Sequence, residues 1–378
     1  MSKVEAMLPQ LRFEGFSGEW KTNKIDQAMG IRSETGAQQD FSVDIELENL
    51  VTNKGILIGD LSIRTQAQSV FRKGDILFGR LRPYLNKWWL AEYDGVKSGE
   101  IWALYTREKY NNAFIYTFIQ TQDFLKFANQ TSGTKMPRAD WSILKEQIIR
   151  VPQLAEQTKI GELFQKLDRA IELQQQKVEQ SERYKKAMLQ KMFPQKGEKV
   201  PRVRFAGFSG DWEEKKLGDL ADLYQPKTIT QNDLCDEGYP VFGANGFIGF
   251  YKEANHFTDQ VLISARGENT GSPNYVRAPI WITGNSMVVN IDGKSEIISK
   301  SYLFNYFLAN SLKSYVTGGA QPQLTREVLN TVVITYPNPE EQTQIGNFFE
   351  ILDQQIEQQA QKLATYQQLK KAMLQRMF

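Results

Sequence analysis

The sequence predicts an α+β fold: two mixed α/β blocks in a pseudo-two-fold duplicated chain, separated by two long helices that pair as an antiparallel coiled coil. Three observations carry this expectation. The segment Glu156–Phe193 returns without a gap as Glu341–Phe378, at an offset of 185. The phrase RFEGFSGEW at Arg12 returns as RFAGFSGDW at Arg204, with seven of nine residues unchanged. Between these repeats the halves diverge and carry short β-type runs. A repeat of this kind decides architecture before any local detail. It reads as one unit written twice, with its middle free to change.

In chain order, the N-terminal stretch MSKVEAMLPQLRFEG has no continuous apolar core and is not expected to be a secretory signal. The first variable block has β-type runs at Ile76–Phe78, Lys87–Ala91 and Glu100–Tyr105, broken by Gly and Pro. A helix is expected over Asn112–Asn129, then a loop, TSGTKMPRADW, and a proline junction, RVPQLAEQ. The second block repeats the plan with DQVLISARGENTGSPNYVRAPIWITGNSMVVNI, a helix over Ser301–Ser314, the loop TGGAQPQLTRE and the junction TYPNPEEQ.

The two shared segments read as helices, being rich in Gln, Glu, Lys, Ala and Leu and free of Pro or Gly after Gly161 and Gly346. Alternating steps of four and three give a heptad seam through Ile160, Phe164, Leu167, Ile171, Gln174, Val178, Ser181, Lys185 and Met188. The second seam runs through Ile345, Phe349, Leu352, Ile356, Gln359, Leu363, Tyr366, Lys370 and Met373. Two packings are open: each helix on its own block, or the pair on each other. Full antiparallel overlap brings Gln174 and Gln359 towards the middle, where a buried polar pair sets register.

A chain of 378 residues suits two to three domains. No apolar run approaches the roughly 20 residues that cross a bilayer. One cysteine, Cys235, excludes an internal disulfide framework and a multi-cysteine zinc site, so a cytoplasmic protein is expected. The formal charge of +2 says nothing about nucleic acid, and that argument rests on local clusters. The lone His256 has no metal-ligand neighbour in sequence, Cys235 has no matching Cys or His, and GANGFIG lacks phosphate-loop spacing. We therefore expect no catalytic residue and no metal site on this chain.

The window Arg72–Lys87 sets five basic residues against one acid, Asp75. Arg80, Arg82, Tyr84, Asn86 and Lys87 crowd its end, and the next loop adds Lys135 and Arg138. In the second half Arg266, Asn269, Thr270, Ser272 and Asn274 occupy the matching strand-to-loop position, with Gln321, Gln323 and Arg326 in the matching second loop. Arg, Lys, Asn and Gln make bidentate contacts to guanine and adenine edges, while Ser, Thr and Lys suit phosphates. An ordinary solvated loop is the competing reading of either window alone. Two windows at equivalent places favour a reader of two DNA half-sites.

The ordered set of FxGFSGxW openings, GDILFGRLRPYLNK, proline junctions and EQTxIGxxFxxLDxxI helix starts resembles the specificity (S) subunit of type I restriction–modification systems, over essentially the whole chain. The resemblance implies target recognition domains at 1–152 and 196–337 and conserved spacer helices at 153–195 and 338–378. Each recognition domain would read one half of a bipartite, asymmetric site in double-stranded DNA, with the helices setting the gap. Two modification subunits would supply adenine-N6 methylation from S-adenosylmethionine. Restriction subunits would supply ATP- and Mg-dependent cleavage, in a bacterial or archaeal cytoplasm and with no cofactor on this chain. Lys185, Lys186, Met188, Lys370, Lys371 and Met373 form a candidate docking face, with plain helix packing as the alternative. Two rivals are a DNA-binding scaffold without a methyltransferase partner and a self-contained nuclease.

Overall fold

Each repeated segment forms one unbroken helix of 39 residues: α1, Leu154–Met192, and α2, Pro339–Met377. Proline suits the first position of α2, where its missing N–H has no intrahelical acceptor to lose. In the computed structural model, which describes residues 8–62, 68–130, 136–195, 197–319 and 321–378, the chain divides into two compact units. Unit 1 is Met1–Gln175 with Gln361–Phe378, and unit 2 is Gln176–Ala360. Both helices are thus divided between the units near their middles.

Inside each unit the helix segments pair antiparallel. In unit 2 the Ser181 hydroxyl donates to Gln359 Oε1 at 3.1 Å, and four residues further along α1 Lys185 pairs with Asp353, six residues back along α2. In unit 1 Lys370 Nζ reaches Asp168 Oδ1 at 2.5 Å and Gln120 Oε1 at 2.6 Å. Burial raises the Asp168 carboxyl, against the pull of Lys370. The seam expected from spacing is the buried face, with Ile160, Phe164 and Val178 on α1 and Ile345, Phe349 and Leu352 on α2 all inside. The polar breaks in that seam at Ser181, Lys185, Gln359 and Lys370 carry hydrogen bonds or ion pairs.

The repeated phrases are the joints of this frame. Arg12 forks onto Glu156 with bonds of 2.7 and 2.8 Å and also donates to the Gly18 and Ser17 carbonyls. Arg204 does the same with Glu341, Gly210 and Ser209. Both glutamates are fully buried. The glycines of each phrase have positive φ, from 83° to 93°, a region that only glycine enters freely. Gln157 accepts from Asn111 N–H and Gln342 from Ser299 N–H, so the glutamine after each glutamate ties α1 or α2 to its block's helix. A Cβ at Gly161 would stand 2.7 Å from Ala113 Cβ and 2.9 Å from Phe114 N, which explains the glycine at this close crossing. Trp20 packs edge-on against Phe114 and Phe378, and Trp212 against Phe193 and Tyr302, so each tryptophan joins its block to the terminal phenylalanine of a repeated segment.

The variable blocks share one sheet plan. In unit 1, β1 (Met29–Ile31), β2 (Ile76–Gly79), β3 (Trp88–Leu90) and β4 (Ile101–Thr106) lie in the order β1-β4-β2-β3. In unit 2, β5 (Asp222–Tyr224), β6 (Gln260–Ser264), β7 (Pro273–Val276) and β8 (Ser286–Asn290) lie as β5-β8-β6-β7. All these pairings are antiparallel. A three-stranded sheet accompanies each, and a two-stranded ribbon closes each block: Lys21–Lys24 with Ile148–Val151, and Glu213–Lys216 with Val333–Tyr336.

The expected helix over Asn112–Asn129 is in fact two helices, Asn112–Phe118 and Gln122–Ala128. Thr121 causes the break: its hydroxyl donates to the Phe118 carbonyl and accepts from Phe124 N–H, capping a fresh start. The helix expected over Ser301–Ser314 runs Lys300–Ala309 and then gives way to a tighter turn at Leu312–Tyr315, with Ser311 accepting from Lys313 N–H.

Candidate nucleic-acid interface

In each unit the chain leaves a central strand, β2 or β6, and its next residues bridge to a loop far along the sequence. In unit 1 Leu81 bridges Arg138, Ala139 N–H donates to the Arg80 carbonyl at 2.8 Å, and Arg82 N–H donates to the Pro137 carbonyl at 2.7 Å. In unit 2 Arg266 bridges Gln323, and Leu324 N–H donates to the Ala265 carbonyl at 3.0 Å. The two bridges are related by 185 residues, the offset of the shared helices. The windows read as separate in the sequence therefore form one surface per unit, on one backbone frame with different side chains.

Unit 1 presents Arg82 and Tyr84 outwards, Tyr84 being 56% exposed. The turn Pro83–Leu85 lies between two residues with left-handed backbone, Arg82 and Asn86, both at φ 50°. The position equivalent to Arg82 in unit 2 is Gly267, at φ 87°. The frame needs positive φ there, and unit 1 meets that need with an arginine, against a bias of roughly 1–2 kcal/mol. Arg80 lies over the Trp102 ring at 5.7 Å, and Arg138 forks onto Glu100 with bonds of 2.8 and 3.2 Å. That hydrogen bonding holds the Glu100 carboxyl below its usual range. Asn86 accepts from Asn53 N–H through its carbonyl, and Lys87 turns its ammonium onto the Leu47 carbonyl at 2.8 Å. Lys135 lies outside the described residues.

Unit 2 forms a cleft of about 400 Å³ lined by Arg266, Gln323 and Arg326 together with Tyr224, Gln225 and Glu327. Arg266, Gln321, Gln323 and Arg326 are exposed. Asn269 is exposed and donates to Asn245 Oδ1 at 3.2 Å. Thr270 is buried, its hydroxyl within hydrogen-bond distance of the Gly267 and Pro322 carbonyls at 2.6 and 3.2 Å, so it staples the two loops together. Ser272 and Asn274 are half-buried, Asn274 opposite Leu262 in the β6–β7 register.

Several cleft groups escaped the sequence reading. Tyr224 ends β5 and Gln225 follows it, some 40 residues before Arg266; Gln225 donates to the Gly284 carbonyl at 2.9 Å. Glu327 lies in the first turn of the short helix Arg326–Asn330, where its own N–H and the Thr325 hydroxyl keep its carboxylate below the usual range. In unit 1 Lys97 is buried, and burial, with repulsion from Arg80, pushes its ammonium down to about 8. Of these, only the proline after Gln225, a strand-ending signal, was available beforehand.

The remaining chemistry-bearing residues have structural partners. His256 is buried, stacked on Tyr224 and within 2.9 Å of its hydroxyl, with Nδ1 2.6 Å from Asn255 Oδ1; burial lowers its pKa. Cys235 is exposed, its thiol 2.9 Å from the Glu237 carbonyl. Among the described residues, no group of three or more His, Cys, Asp or Glu side chains is arranged to hold a metal, and no helix is long and apolar enough to cross a membrane. On the helices, Met188 and Met373 pack against their units' cores and Lys185 and Lys370 are ion-paired. Of the six residues expected to form a docking face, Lys186 and Lys371 are the exposed ones.

The sequence profile of the type I restriction modification DNA specificity domain matches residues 48–183 and 209–366. The MjaVIII type I restriction enzyme specificity subunit of Methanocaldococcus jannaschii is 24% identical over 273 residues, covering 64% of this chain and 63% of that protein. The EcoprrI specificity subunit of Escherichia coli is 25% identical over 146 residues, covering 37% of this chain and 36% of its own. The match thus spans less than two thirds of either relative's length. The fold is shared with the crystal structure of a type I restriction–modification S subunit from M. genitalium, at a TM-score of 0.69 and 16% identity over 98% of this chain and 99% of that one. A chain from a structural study of type I R-M complex assembly and conformational transition aligns at a TM-score of 0.56 and 19% identity, over 95% of this chain and 97% of that one.

Proposed function

Because the chain belongs to the type I restriction modification DNA specificity domain family, we propose that it is the non-catalytic DNA-reading subunit of a type I restriction–modification complex. Each unit reads one half of a bipartite site, and the paired helices set the distance between the halves, with Gln359 holding register through Ser181, seven residues beyond Gln174. Two modification subunits bring S-adenosylmethionine and methylate adenine N6. Restriction subunits bring ATP- and Mg-dependent cleavage.

One observation carries this reading. The strand-exit loop and the loop before the ribbon meet at positions related by the same 185-residue offset in both units, yet present Leu81, Arg82 and Arg138 in one and Arg266, Gly267 and Gln323 in the other. A repeated frame with unlike contact residues suits a site whose halves differ, served by two identical partners. Arginine and glutamine read base edges in the major groove by bidentate hydrogen bonds. Arg82 occupies a left-handed position where glycine serves elsewhere, which supports a role for its side chain beyond packing.

Methylome sequencing of a host carrying this chain and its modification subunits tests the proposal. The expected result is an asymmetric motif of two specified half-sites with an unspecified gap. Exchanging residues 76–87 together with 136–140 for those of another recognition unit should change one half only. A palindromic or undivided motif refutes the arrangement.

A further inference from the structure

Beside the Arg266 loop, unit 2 carries a hairpin of Tyr239–Gly243 and Gly246–Tyr251 with the sequence YPVFGANGFIGFY and no charged residue. Two hydrogen bonds tie its tip to that loop and to the end of β6 that leads into it: Asn269 donates to Asn245, and the Ser264 hydroxyl donates to the Ala244 carbonyl at 2.7 Å. Two residues beyond Asn245 stands Phe247, 56% exposed, followed by Ile248, 45% exposed. The return strand holds an extra residue opposite Val241 and Phe242. This bulge displaces Ile248 and puts Phe247 and Phe250 on one side of the ribbon, their rings 5.2 Å apart.

Exposed large apolar side chains grouped in this way mark a contact surface. The same association occurs independently in unit 1. Tyr84 lies within the Arg82 loop, and Met136, 53% exposed, precedes the residue that accepts the Arg82 N–H. In both units apolar side chains flank an arginine-bearing loop to which they are joined by hydrogen bonds or directly along the chain, although in unit 2 Glu268 balances Arg266. That continuity selects the occupant: the hairpin tip is bonded to the Arg266 loop, so the duplex bound by that loop is the neighbour within its reach.

We propose that the Tyr239–Tyr251 hairpin is an apolar wedge, with Phe247 and Ile248 inserted against a base step of the half-site read by unit 2. The wedge loosens stacking there and exchanges two hydrated side chains for contact with base faces. Apolar side chains of this kind unstack a step and bend the duplex, adding specificity at base pairs that receive no hydrogen bond. The inference rests on the DNA reading of the Arg266 loop given above.

The test uses the full chain in complex with its modification subunits and a duplex carrying the mapped site, with 2-aminopurine placed step by step through unit 2's half. Wild-type complex should raise the fluorescence at one step. Phe247→Ala with Ile248→Ala should abolish that rise and weaken binding about tenfold to a hundredfold. The dependence of log affinity on log salt should stay unchanged, because no phosphate contact is lost. Phe247→Tyr, which keeps the ring, should bind as wild type. Both residues are exposed, so melting temperature should change little, and the Tyr variant provides the control for folding.

Wild-type fluorescence or affinity in the double variant overturns the wedge. Loss of the modification subunits from the purified double-variant complex overturns it too, by marking the hairpin as a protein contact. Arg266→Ala separates the two levels of inference. If it erases recognition of that half-site while the double variant binds normally, only the wedge falls. If it leaves that half-site intact, the DNA reading of the loop falls with it.

Discussion

Arg82 tests the interface because its stability effect and its recognition effect should move in opposite directions. Its φ of 50° lies where a Cβ is disfavoured by roughly 1–2 kcal/mol. Glycine escapes that strain but adds roughly 0.5–1 kcal/mol of unfolded-state freedom relative to alanine. Arg82→Gly should therefore be more stable than Arg82→Ala by up to about 1 kcal/mol, reversing the usual order of the two substitutions. With a denaturant slope of about 2 kcal/mol/M for a region of this size, the midpoints in urea should differ by up to ~0.5 M. Both variants lose the guanidinium, so both should lose about 1–3 kcal/mol of discrimination at one half-site, roughly tenfold in affinity per 1.4 kcal/mol. The other half-site should be read as before. Binding to duplexes varied in one half at a time, with methylome sequencing in the host, gives the readout. An Ala variant as stable as the Gly variant refutes the strain argument. A uniform loss over all sequences, with a shallower salt slope, makes Arg82 a phosphate contact.

Four further outcomes are expected. Arg204→Ala strands the buried Glu341 carboxylate and should cost about 3–5 kcal/mol by urea denaturation, whereas Arg204→Met with Glu341→Met should be far closer to wild type. Gly161→Ala should destabilise despite alanine's better helix propensity, and by more than Gly346→Ala, because the new methyl meets Ala113 Cβ and Phe114 backbone in the first case and chiefly the Ser301 side chain in the second; paired thermal melts decide it. Lys97 has its pKa pushed below the ordinary 10.5 to about 8, so folding is penalised while the ammonium is charged in both states and the penalty fades as pH rises from about 8 towards 10.5. Lys97→Met should stabilise the protein by up to ~3 kcal/mol at pH 7 and flatten that rise, and equal stability of both proteins at pH 7 counts against it. Inserting four residues into each of α1 and α2 lengthens each helix by about 6 Å, close to two base pairs at roughly 3.4 Å each, so the methylome should show the same half-sites with a wider gap; altered half-sites with an unchanged gap contradict the spacer role.

Much of this protein was legible without coordinates. Self-similarity at a fixed offset needs no three-dimensional information, so the duplication and the two long helices follow from letters alone. Heptad spacing located the buried seam from Ile160 to Leu352 because helical period is a local property. Strand runs at Ile76, Trp88 and Ile101 were equally visible, since β-branched and aromatic clusters between glycines report local preference. The break at Thr121 was missed because a single hydroxyl that caps one helix outweighs the propensity of the residues around it.

Direction and partnership are decided elsewhere. Whether a lysine points to solvent depends on what the chain brings beside it: Lys87 meets the Leu47 carbonyl and Lys370 meets Asp168, partners 40 and 202 residues away. The meeting of Arg82 with Pro137, and of Arg266 with Gln323, requires strands to pair and long loops to close, and no short window contains that information. The sequence by itself determined that one frame is written twice, because self-similarity is visible in the letters alone. The tertiary structure alone decided which variable residues share a surface, because burial and hydrogen bonding are settled between segments far apart in the chain.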